Sequence, residues 1–347
     1  MNINEFNYDL PKELIAQFPA ERRDRSRLLI VDRKRGSITH SGFEEITHLF
    51  KPGDALVIND AKVKPVRLMG TVSGKKIDIL LVERVKKNLY RVKAKPAARL
   101  KPGIEIGFKE KDVTAFCKQA EFGQQHGLKL LEFTQELDIE SKLDQIGIMP
   151  LPPYIKRIPD NKDKIRYQTV YAKAEGAIAS PTAGLHFTKQ ILCRLEQKQV
   201  KIVPLTLNVG LGTFVPVRAE NIEDHKMHSE YFEFSQDAAN KINQIRTKQG
   251  RICAVGTTTA RVLETCAAED NGGIKLQPKS SNTDLFIYPG YEFKAVDMLL
   301  TNFHLPRTTL LMLVSAFAGQ KLCRQAYSQA IEKRYRFYSY GDCMLIV

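Results

Sequence analysis

Hydrophobic positions repeat with different periods along this chain of 347 residues, and the changes of period indicate its organisation. Near the amino terminus, two apolar runs flank an amphipathic segment, which predicts strands at 28–32 and 55–59 and a helix at 43–50. From 62 to 137, short alternating runs such as VRLMGTV, KIDILLVERV and LYRVKAK are separated by glycine, lysine and asparagine turn signals. This spacing is typical of a small all-β barrel or sandwich.

Helices and strands alternate in the rest of the chain. The pattern predicts a helix at 139–146, followed by an ordered proline-rich linker, MPLPPYI, at 149–155. Further helices are predicted at 188–198, 235–248, 259–267, 308–318 and 322–334, and further strands at 200–209, 252–256, 285–288 and 297–302. Such alternation favours an α/β sheet with helices on both faces.

Together these patterns predict a discontinuous, three-layer, sandwich-like α/β main domain with a small all-β barrel inserted into it. We assign residues 1–61 and 149–347 to the α/β domain and residues 62–148 to the barrel. The length favours two domains, because a single core seldom extends beyond about 250–300 residues.

The charge of the chain bears on its partners. Lysine and arginine outnumber aspartate and glutamate by 53 to 39, which gives a formal net charge of +14. This surplus suits a polyanion such as RNA, because neutralised phosphates release counterions on binding. A basic protein without such a partner is the alternative.

The composition also indicates a compartment. The opening MNINEFNYDLPKELI is acidic and broken by Pro11, so it does not resemble a signal peptide, and the longest apolar run, 310–319, is too short to span a bilayer. The six cysteines form no C-x-x-C pair or zinc spacing, as is usual for thiols in a reducing compartment. We therefore expect a cytoplasmic protein with no membrane partner and no metal.

Two basic stretches are candidates for RNA contact. Arg91, Lys93 and Lys95 would share one face of a strand, as a surface that follows phosphates requires. Near the carboxyl end, EKRYRFYSYGD interleaves cations with aromatic rings, a pattern that suits stacking on unpaired bases. The alternatives are a solvated strand face for the first stretch and a core-packing strand for the second.

Four stretches resemble the strand ends and helix starts at which α/β domains hold ligands. They are SPTAGLHF at 180–187, NVGLGTF at 208–214, VGTTTAR at 255–261 and TNFHLPRTTL at 301–310. Gly210 and Gly212 do not make a dinucleotide-binding loop, because Val215 replaces the third glycine of G-x-G-x-x-G. An ordinary capped turn explains each stretch taken alone.

The stretch NIEDHKMHSEYFEF at 221–234 concentrates imidazoles and carboxylates ahead of a strand. It could be a metal site, a solvated turn, or a pocket for a cationic substrate and proton transfer. On a strand, His225 and His228 would point to opposite faces, and the sequence offers no evident third ligand. We therefore favour the pocket over the metal.

Motifs along the whole chain resemble one family. IMPLPPYI, YQTVYA, SPTAGLHF, NVGLGTF, IEDHKMHSE, VGTTTAR, IYPG, TNFHLP, LMLVSAFAG and YRFYSYGD occur in the order typical of the S-adenosylmethionine:tRNA ribosyltransferase-isomerases of queuosine biosynthesis. The resemblance implies an α/β domain interrupted by a β-barrel. It also implies transfer of the ribosyl group of S-adenosylmethionine to 7-aminomethyl-7-deazaguanine at the wobble position of tRNAs with GUN anticodons. The ribose becomes an epoxycyclopentane, adenine and methionine leave, and the product is epoxyqueuosine-tRNA.

The chain departs from the family pattern at several positions. Ala61 and Val66 are substituted in the turn before the barrel, and Asn208 stands where the family usually has histidine before V-G-x-G-T-F. Ser180 replaces alanine, and Ala260 is a conservative change in the TT-x-x-R turn.

The implied chemistry assigns candidate roles. A sulfonium and an ammonium favour nearby carboxylates, the C5′ protons need a base, and adenine leaves more readily when an acid protonates it. The candidate acid–base residues, with no individual role assigned, are His186, Asp224, His228, Glu230 and His304. The candidate substrate-binding residues are Thr182, Gly184, Gly210, Gly212, Thr257, Thr258, Arg261 and Asn302. The candidate tRNA-binding residues are Arg91, Lys93, Lys95, Arg334, Arg336 and Tyr338.

S-adenosylmethionine is expected as a co-substrate, tRNA as the partner, and a monomer as the working form. Two other classes stay open. A tRNA methyltransferase would share both substrates but would release S-adenosylhomocysteine instead of adenine. A non-catalytic RNA-binding protein would explain the charge but not the ionisable residues clustered among apolar strands.

Overall fold

The structure is a computed structural model that describes residues 1–108, 113–119, 127–134, 138–210, 217, 219–270 and 273–347. The chain divides into two compact units. The first contains Met1–Lys62, Pro152–Arg157 and Gln168–Val347, and the second contains Val63–Leu151 and Ile158–Tyr167. The domain boundaries predicted from the sequence differ from these units chiefly at 158–167, which the prediction gave to the α/β domain.

Strands and helices alternate in the first unit, whereas strands dominate the second. In the described part of the chain the strands are β1 (Arg27–Asp32), β2 (Ser37–Gly42), β3 (Ala55–Asn59), β4 (Ala61–Val63), β5 (Arg67–Val72), β6 (Lys75–Lys86), β7 (Leu89–Lys95), β8 (Glu105–Phe108), β9 (Thr114–Lys118), β10 (Lys129–Phe133), β11 (Ala174–Ala177), β12 (Lys201–Leu207), β13 (Glu230–Phe234), β14 (Ile252–Val255), β15 (Ala267–Asp270), β16 (Gly273–Leu276), β17 (Lys279–Thr283), β18 (Met298–Asn302) and β19 (Cys343–Ile346).

The described α-helices are α1 (Leu143–Ile146), α2 (Asn161–Arg166), α3 (Lys189–Gln197), α4 (Gln236–Thr247), α5 (Thr257–Cys266), α6 (Thr309–Ala318) and α7 (Gln320–Glu332). The described 3₁₀ helices are Ile3–Phe6, Lys12–Leu14, Arg23–Arg25, Phe43–Leu49, Ala97–Arg99, Ile139–Lys142, Thr182–His186 and Ile222–Asp224. Among the described residues, no helix is both long and apolar enough to cross a membrane.

A sheet of nine strands forms the centre of the first unit, in the order β17-β13-β12-β3-β14-β18-β19-β1-β2. Strand β3 is buried along its whole length, and its side chains alternate between two hydrophobic clusters. Ala55 and Val57 belong to one cluster and Leu56 and Ile58 to the other. Because successive side chains of a strand point to opposite faces, both faces of the sheet are covered. The three-layer α/β prediction is confirmed.

The helices divide between those two faces. The cluster that contains Ala55 also holds apolar residues of α4, α5, α6 and α7, whereas the cluster that contains Leu56 holds those of α3 and of the 3₁₀ helix Phe43–Leu49. Strands β12, β3, β14 and β18 are parallel neighbours, so their carboxyl ends lie at one edge of the sheet. Ligands of open α/β sheets bind at such an edge.

The second unit contains a closed barrel with the strand order β10-β7-β6-β5-β8-β9. Its strands pair antiparallel, and along β7 the side chains alternate between buried and exposed positions. Tyr90 and Val92 face the core, while Arg91, Lys93 and Lys95 lie on the outer face. The predicted inserted barrel and the predicted shared face of these three cations are both confirmed.

One local prediction was wrong. The segment 285–288 is not a strand, and the strand in this region is β17, Lys279–Thr283. The Leu285 carbonyl accepts a hydrogen bond from Arg261 Nε (3.0 Å). The helix predicted at 43–50 is present as the 3₁₀ helix Phe43–Leu49.

Candidate active site

A cavity in the first unit lies beyond the carboxyl ends of β14 and β18. Its walls come from the turn before the 3₁₀ helix Thr182–His186, the start of α5, the loop after β18 and the carboxyl-terminal aromatic segment. The lining residues that matter here are Tyr154, Ser180, Thr182, Thr257, Thr258, Asn302, His304, Thr308 and Tyr338. The sequence-predicted Thr182, Thr257, Thr258, Asn302 and His304 therefore surround one hollow.

Two helix amino termini open onto this cavity. Helix α5 begins at Thr257 after Gly256, whose φ of 92° favours glycine over any residue with a side chain. Helix α6 begins after Thr308, which lines the cavity and caps the helix by accepting from the amide of Leu311. The first amides of a helix have no intrahelical partner and carry a partial positive charge. The cavity is therefore suited to an anionic group.

Three buried polar atoms on the cavity wall have no hydrogen-bond partner among the described residues. They are Ser180 Oγ, Asn302 Oδ1 and the Tyr338 hydroxyl, on side chains that are 2–4% exposed. An unpaired buried polar group costs about 1–3 kcal/mol, and native proteins keep few of them. Three around one hollow indicate a binding site for a polar ligand.

Tyr338 is held in a strained conformation at this wall. Its φ is 70°, in the left-handed region that a residue with a side chain rarely adopts. Its amide donates to Phe303 O (3.1 Å), and its carbonyl accepts from Asn302 Nδ2 (3.0 Å). Its ring packs 4.6 Å from that of Tyr154. Strain that surrounding contacts enforce is typical of functional sites.

His304 is the only one of the five predicted acid–base residues that lines the cavity. Its ring Nε2 lies 2.6 Å from Thr301 Oγ1. Its backbone is fixed on both sides, because its amide donates to the Tyr327 hydroxyl (3.0 Å) and its carbonyl accepts from the Tyr8 hydroxyl. Burial lowers its pKa to about 3, so the imidazole is neutral near pH 7. It can accept a proton or a hydrogen bond there.

His186 lies behind the cavity wall and is fully enclosed. Its Nδ1 is 2.7 Å from Ser26 Oγ, and its Nε2 is 3.3 Å from Asn302 Nδ2, which donates to it. Burial lowers its pKa to about 4. His186 therefore contacts the amide of Asn302 and does not itself line the cavity.

Glu230 and Arg261 form a buried ion pair, with 2.5 Å between Arg261 Nη1 and Glu230 Oε2. Arg261 also donates through Nη2 to Thr283 O (3.2 Å), and Glu230 Oε1 accepts from the amide of Gly210 (3.0 Å). Neither side chain lines the cavity. Their charges are matched to each other, so the structure does not place Glu230 as a proton carrier or Arg261 as the ligand of a carboxylate.

The pair acts on the cavity through the backbone. Val209 lines the cavity and is joined to Gly210, whose amide Glu230 holds. The Val209 carbonyl accepts from the amides of Ile178 (3.1 Å) and Ala179 (3.3 Å), which precede the wall residue Ser180. Glu230 and Arg261 thereby stabilise two segments of the wall.

The acidic, imidazole-rich stretch 221–230 is mostly a surface feature. Asp224 and His228 are exposed and do not line the cavity, and Glu223 pairs with the terminal amine of Met1 (2.6 Å). Burial and the neighbouring His228 lower the pKa of His225. No group of three metal-ligating side chains occurs among the residues that the structure describes. The predicted acid–base roles of Asp224 and His228 stay predictions, and the structure places neither side chain with His304 on the wall of this cavity.

The predicted glycines have different surroundings. A Cβ on Gly184 would lie 2.1 Å from the Tyr171 hydroxyl, so this glycine permits close packing rather than ligand contact. A Cβ on Gly210 would meet nothing within 4 Å. The contact that Gly210 makes is through its amide, which donates to Glu230. Gly212 lies outside the described residues.

The carboxyl-terminal aromatic segment is mostly buried and contributes to the cavity. Tyr335 and Phe337 are buried in the core, and Tyr338 is 4% exposed at the cavity wall, so its ring has no open face for base stacking. Arg334 is exposed, and Arg336 is half-buried beside Asp342. Sequence reasoning missed Tyr154, which comes from the proline-rich linker and whose hydroxyl lies 2.5 Å from Ser339 Oγ.

Comparisons with known proteins give one consistent result. A family model described as "Queuosine biosynthesis protein" matches residues 3–346. Proteins named S-adenosylmethionine:tRNA ribosyltransferase-isomerase are similar over the full length of both chains, with 48% identity in Halothermothrix orenii and 50% in a Thermoanaerobacter species. A crystal structure of an S-adenosylmethionine tRNA ribosyltransferase from Thermotoga maritima shares 37% identity and has a TM-score of 0.56. The matched region covers 99% of this chain and 100% of the Thermotoga maritima chain.

Proposed function

The chain belongs to the queuosine biosynthesis protein family, and from this premise we infer that it is an S-adenosylmethionine:tRNA ribosyltransferase-isomerase. The enzyme moves the ribosyl group of S-adenosylmethionine onto 7-aminomethyl-7-deazaguanine at the wobble position of tRNA, and adenine and methionine leave. Full-length identity of 46–50% to proteins of that name supports the assignment. The observation in the structure that carries it is the cavity with three unpaired buried polar atoms beside His304.

The cavity suits one end of the donor. Its free space is about 70 Å³, well below the roughly 300–1,000 Å³ of pockets that enclose whole ligands. A small charged end group fits this space, and the amino termini of α5 and α6 favour an anion. We therefore assign the methionine carboxylate to Thr257 and Thr258, with Thr182 on the facing wall. Arg261 is not needed for this contact.

We assign the proton transfers to His304 because of its position in the cavity, since burial makes its imidazole a weak base. A neutral imidazole does not repel the cationic sulfonium, and it is the form that accepts a proton from the carbon that the sulfonium acidifies. The hydrogen bonds that its backbone makes to two tyrosines hold it in place. Among the five predicted acid–base residues, we assign proton transfer to His304 and positioning to His186 and Glu230.

The tRNA contacts are assigned by charge and exposure. Arg91, Lys93 and Lys95 lie on the outer face of β7, and Arg334 is exposed at the end of the chain. A net charge of +14 supports a phosphate-led interface. We propose that the partner is a tRNA with a GUN anticodon, that the protein works as a cytoplasmic monomer, and that it needs no metal.

Product analysis tests the proposal. Purified protein is incubated with precursor tRNA and S-adenosylmethionine, and the small molecules and nucleosides are identified by mass spectrometry. Adenine, methionine and epoxyqueuosine in equal amounts are the expected products. S-adenosylhomocysteine with a methylated nucleoside would instead identify a methyltransferase. If both substrates stayed unchanged, the protein would be a non-catalytic RNA-binding protein.

A further inference from the structure

Phe18 places an aromatic ring in solvent. It is 59% exposed, which makes it the most exposed large aromatic side chain in the part of the chain that the structure describes. It follows Gln17 and precedes a proline, in the segment between the 3₁₀ helices Lys12–Leu14 and Arg23–Arg25. An exposed ring of this size contributes little to the core. Its surroundings therefore have to indicate what it binds.

One arginine lies against the ring, and two arginines bind the backbone beside it. The guanidinium carbon of Arg157 lies 4.4 Å from the centroid of the Phe18 ring, and Arg157 Nε donates to Gln17 O (2.9 Å). Arg336 Nη1 donates to Phe18 O (3.3 Å). Lys156 is exposed beside them. The ring is thus held at a positively charged surface, the environment in which proteins stack unpaired bases.

The same segment is joined to the cavity wall. Gln17 Nε2 donates to Tyr154 O (3.0 Å), and Gln17 Oε1 accepts from the amide of Lys156 (2.8 Å). Tyr154 lines the cavity, where its hydroxyl meets Ser339 Oγ. Phe18 is therefore one residue from a side chain that clamps the wall of the candidate active site.

We propose that Phe18 is a stacking platform for an unpaired nucleobase of the tRNA, next to the base that is modified. The proposal rests on the proposed function, because the base that is modified must be unstacked from its neighbours before it can react with the donor. Every base has a π-face, so one aromatic ring can accept a neighbouring base, and Arg157 and Arg336 attract the phosphates that flank it. The sequence analysis missed Phe18 because a single aromatic before a proline carries no pattern.

The chain contains no tryptophan, which gives a direct probe. The variant Phe18→Trp carries a single indole at the platform, and a stacked base quenches its fluorescence. We expect an anticodon stem–loop to quench it with the same midpoint as binding. A fully paired duplex of equal length and charge should leave the signal unchanged. Equal quenching by the duplex, or none by the stem–loop, would overturn the proposal.

Activity measurements separate stacking from the other roles of the protein. Phe18→Ala and Phe18→Leu should raise the KM for tRNA by about 5- to 100-fold, the range expected for loss of one base–aromatic stack. Phe18→Tyr should stay near wild type, and the KM for S-adenosylmethionine should not change in any of these variants. An unchanged KM for tRNA in Phe18→Ala and Phe18→Leu would contradict the platform.

The two proposals fail in different ways. If wild-type protein releases no adenine with precursor tRNA, the proposed function is wrong, while quenching of the Phe18→Trp variant still reports the stack. If wild type is active and every Phe18 variant binds tRNA equally well, only the platform is wrong. Circular dichroism of each variant checks that it is folded.

Discussion

At the scale of single residues, His186, which is buried, and His304, which is partly buried, show how position decides a role. His304 and His186 both have lowered pKa values, about 3 and about 4, because burial disfavours the imidazolium. Only His304 lines the cavity, whereas His186 bonds to the amide of Asn302. The same physical shift therefore accompanies the proton transfer that we propose for His304 and the positioning that we propose for His186.

The lowered pKa of His304 predicts a pH-dependent stability. Between its folded pKa of about 3 and its ordinary value of about 6.5, the unfolded chain binds a proton that the native chain does not. Stability therefore falls as the pH drops through this window. We expect the slope of the unfolding free energy between pH 4 and 6 to be lower in His304→Gln by about 1.4 kcal/mol per pH unit.

Urea unfolding at a series of pH values measures this slope, and equal slopes in both proteins would contradict the shift. The same variant should lose about a hundredfold or more in kcat with little change in the KM for tRNA, as expected for removal of a general base. His48→Gln is the matched control, because that histidine is exposed outside the cavity.

The Glu230–Arg261 pair predicts a non-additive double-mutant cycle. Arg261→Met leaves the Glu230 carboxylate buried without its partner, which should cost about 3–5 kcal/mol of unfolding free energy. Adding Glu230→Gln removes that charge, so the double variant should be more stable than Arg261→Met alone. Chemical denaturation of the four proteins measures the coupling. Additive effects would mean that the two side chains do not interact.

At the scale of elements, the local hydrophobic pattern predicted most helices and strands, because the pattern repeats along most of each element. The predicted helix at 308–318 and the predicted strand at 55–59 match α6 and β3 closely. The strand predicted at 285–288 is absent, and there the Leu285 carbonyl accepts from Arg261, 24 positions earlier. A contact between distant residues leaves no local signal.

The candidate site also combines local and distant information. Motifs rich in glycine, threonine and histidine indicated the loops at the strand ends, where α/β sheets bind their ligands. Which loop side chains face the cavity depends on pairing that the sequence does not show. Glu230 and Arg261 neutralise each other, and Tyr154 arrives from a linker with no chemical motif.

The amino terminus of α5 predicts a substrate effect. Thr258 lies in the first turn of α5 and lines the cavity. Thr258→Val keeps the shape of the side chain but removes the hydroxyl, so it should raise the KM for S-adenosylmethionine by about tenfold, the loss of one hydrogen bond to a charged group. The KM for tRNA should not change. Steady-state kinetics with each substrate varied in turn measure both KM values. An unchanged KM for S-adenosylmethionine would exclude Thr258 from the donor site.

At the scale of the whole molecule, a net charge of +14 is distributed over two units, and the proposed function gives them different tasks. The first unit holds the cavity and the second presents the outer face of β7, with Arg91, Lys93 and Lys95. A modification enzyme needs both tasks, because the tRNA is far larger than the cavity that modifies one of its bases.

The basic face predicts a salt dependence. The logarithm of the tRNA-binding constant falls with the logarithm of the salt concentration, and each phosphate contact makes this slope more negative by about 0.7–0.9. Replacing both Lys93 and Lys95 with glutamine should therefore make the slope less steep by about 1.5. Replacing Lys34 and Lys248, which are exposed on the first unit, is the matched control. Filter binding from low to high salt measures the slopes. Equal slopes would remove this face from the interface.

In the proposed function, the unpaired polar atoms of the cavity bind the substrate. Tyr338→Phe tests it directly, because the change removes one unpaired buried hydroxyl and leaves the ring and its backbone contacts in place. Single-turnover adenine release and unfolding free energy are measured on the same preparations. We predict adenine release slower by about tenfold or more, with stability unchanged or higher by about 1–3 kcal/mol. Wild-type adenine release together with lower stability would contradict the claim.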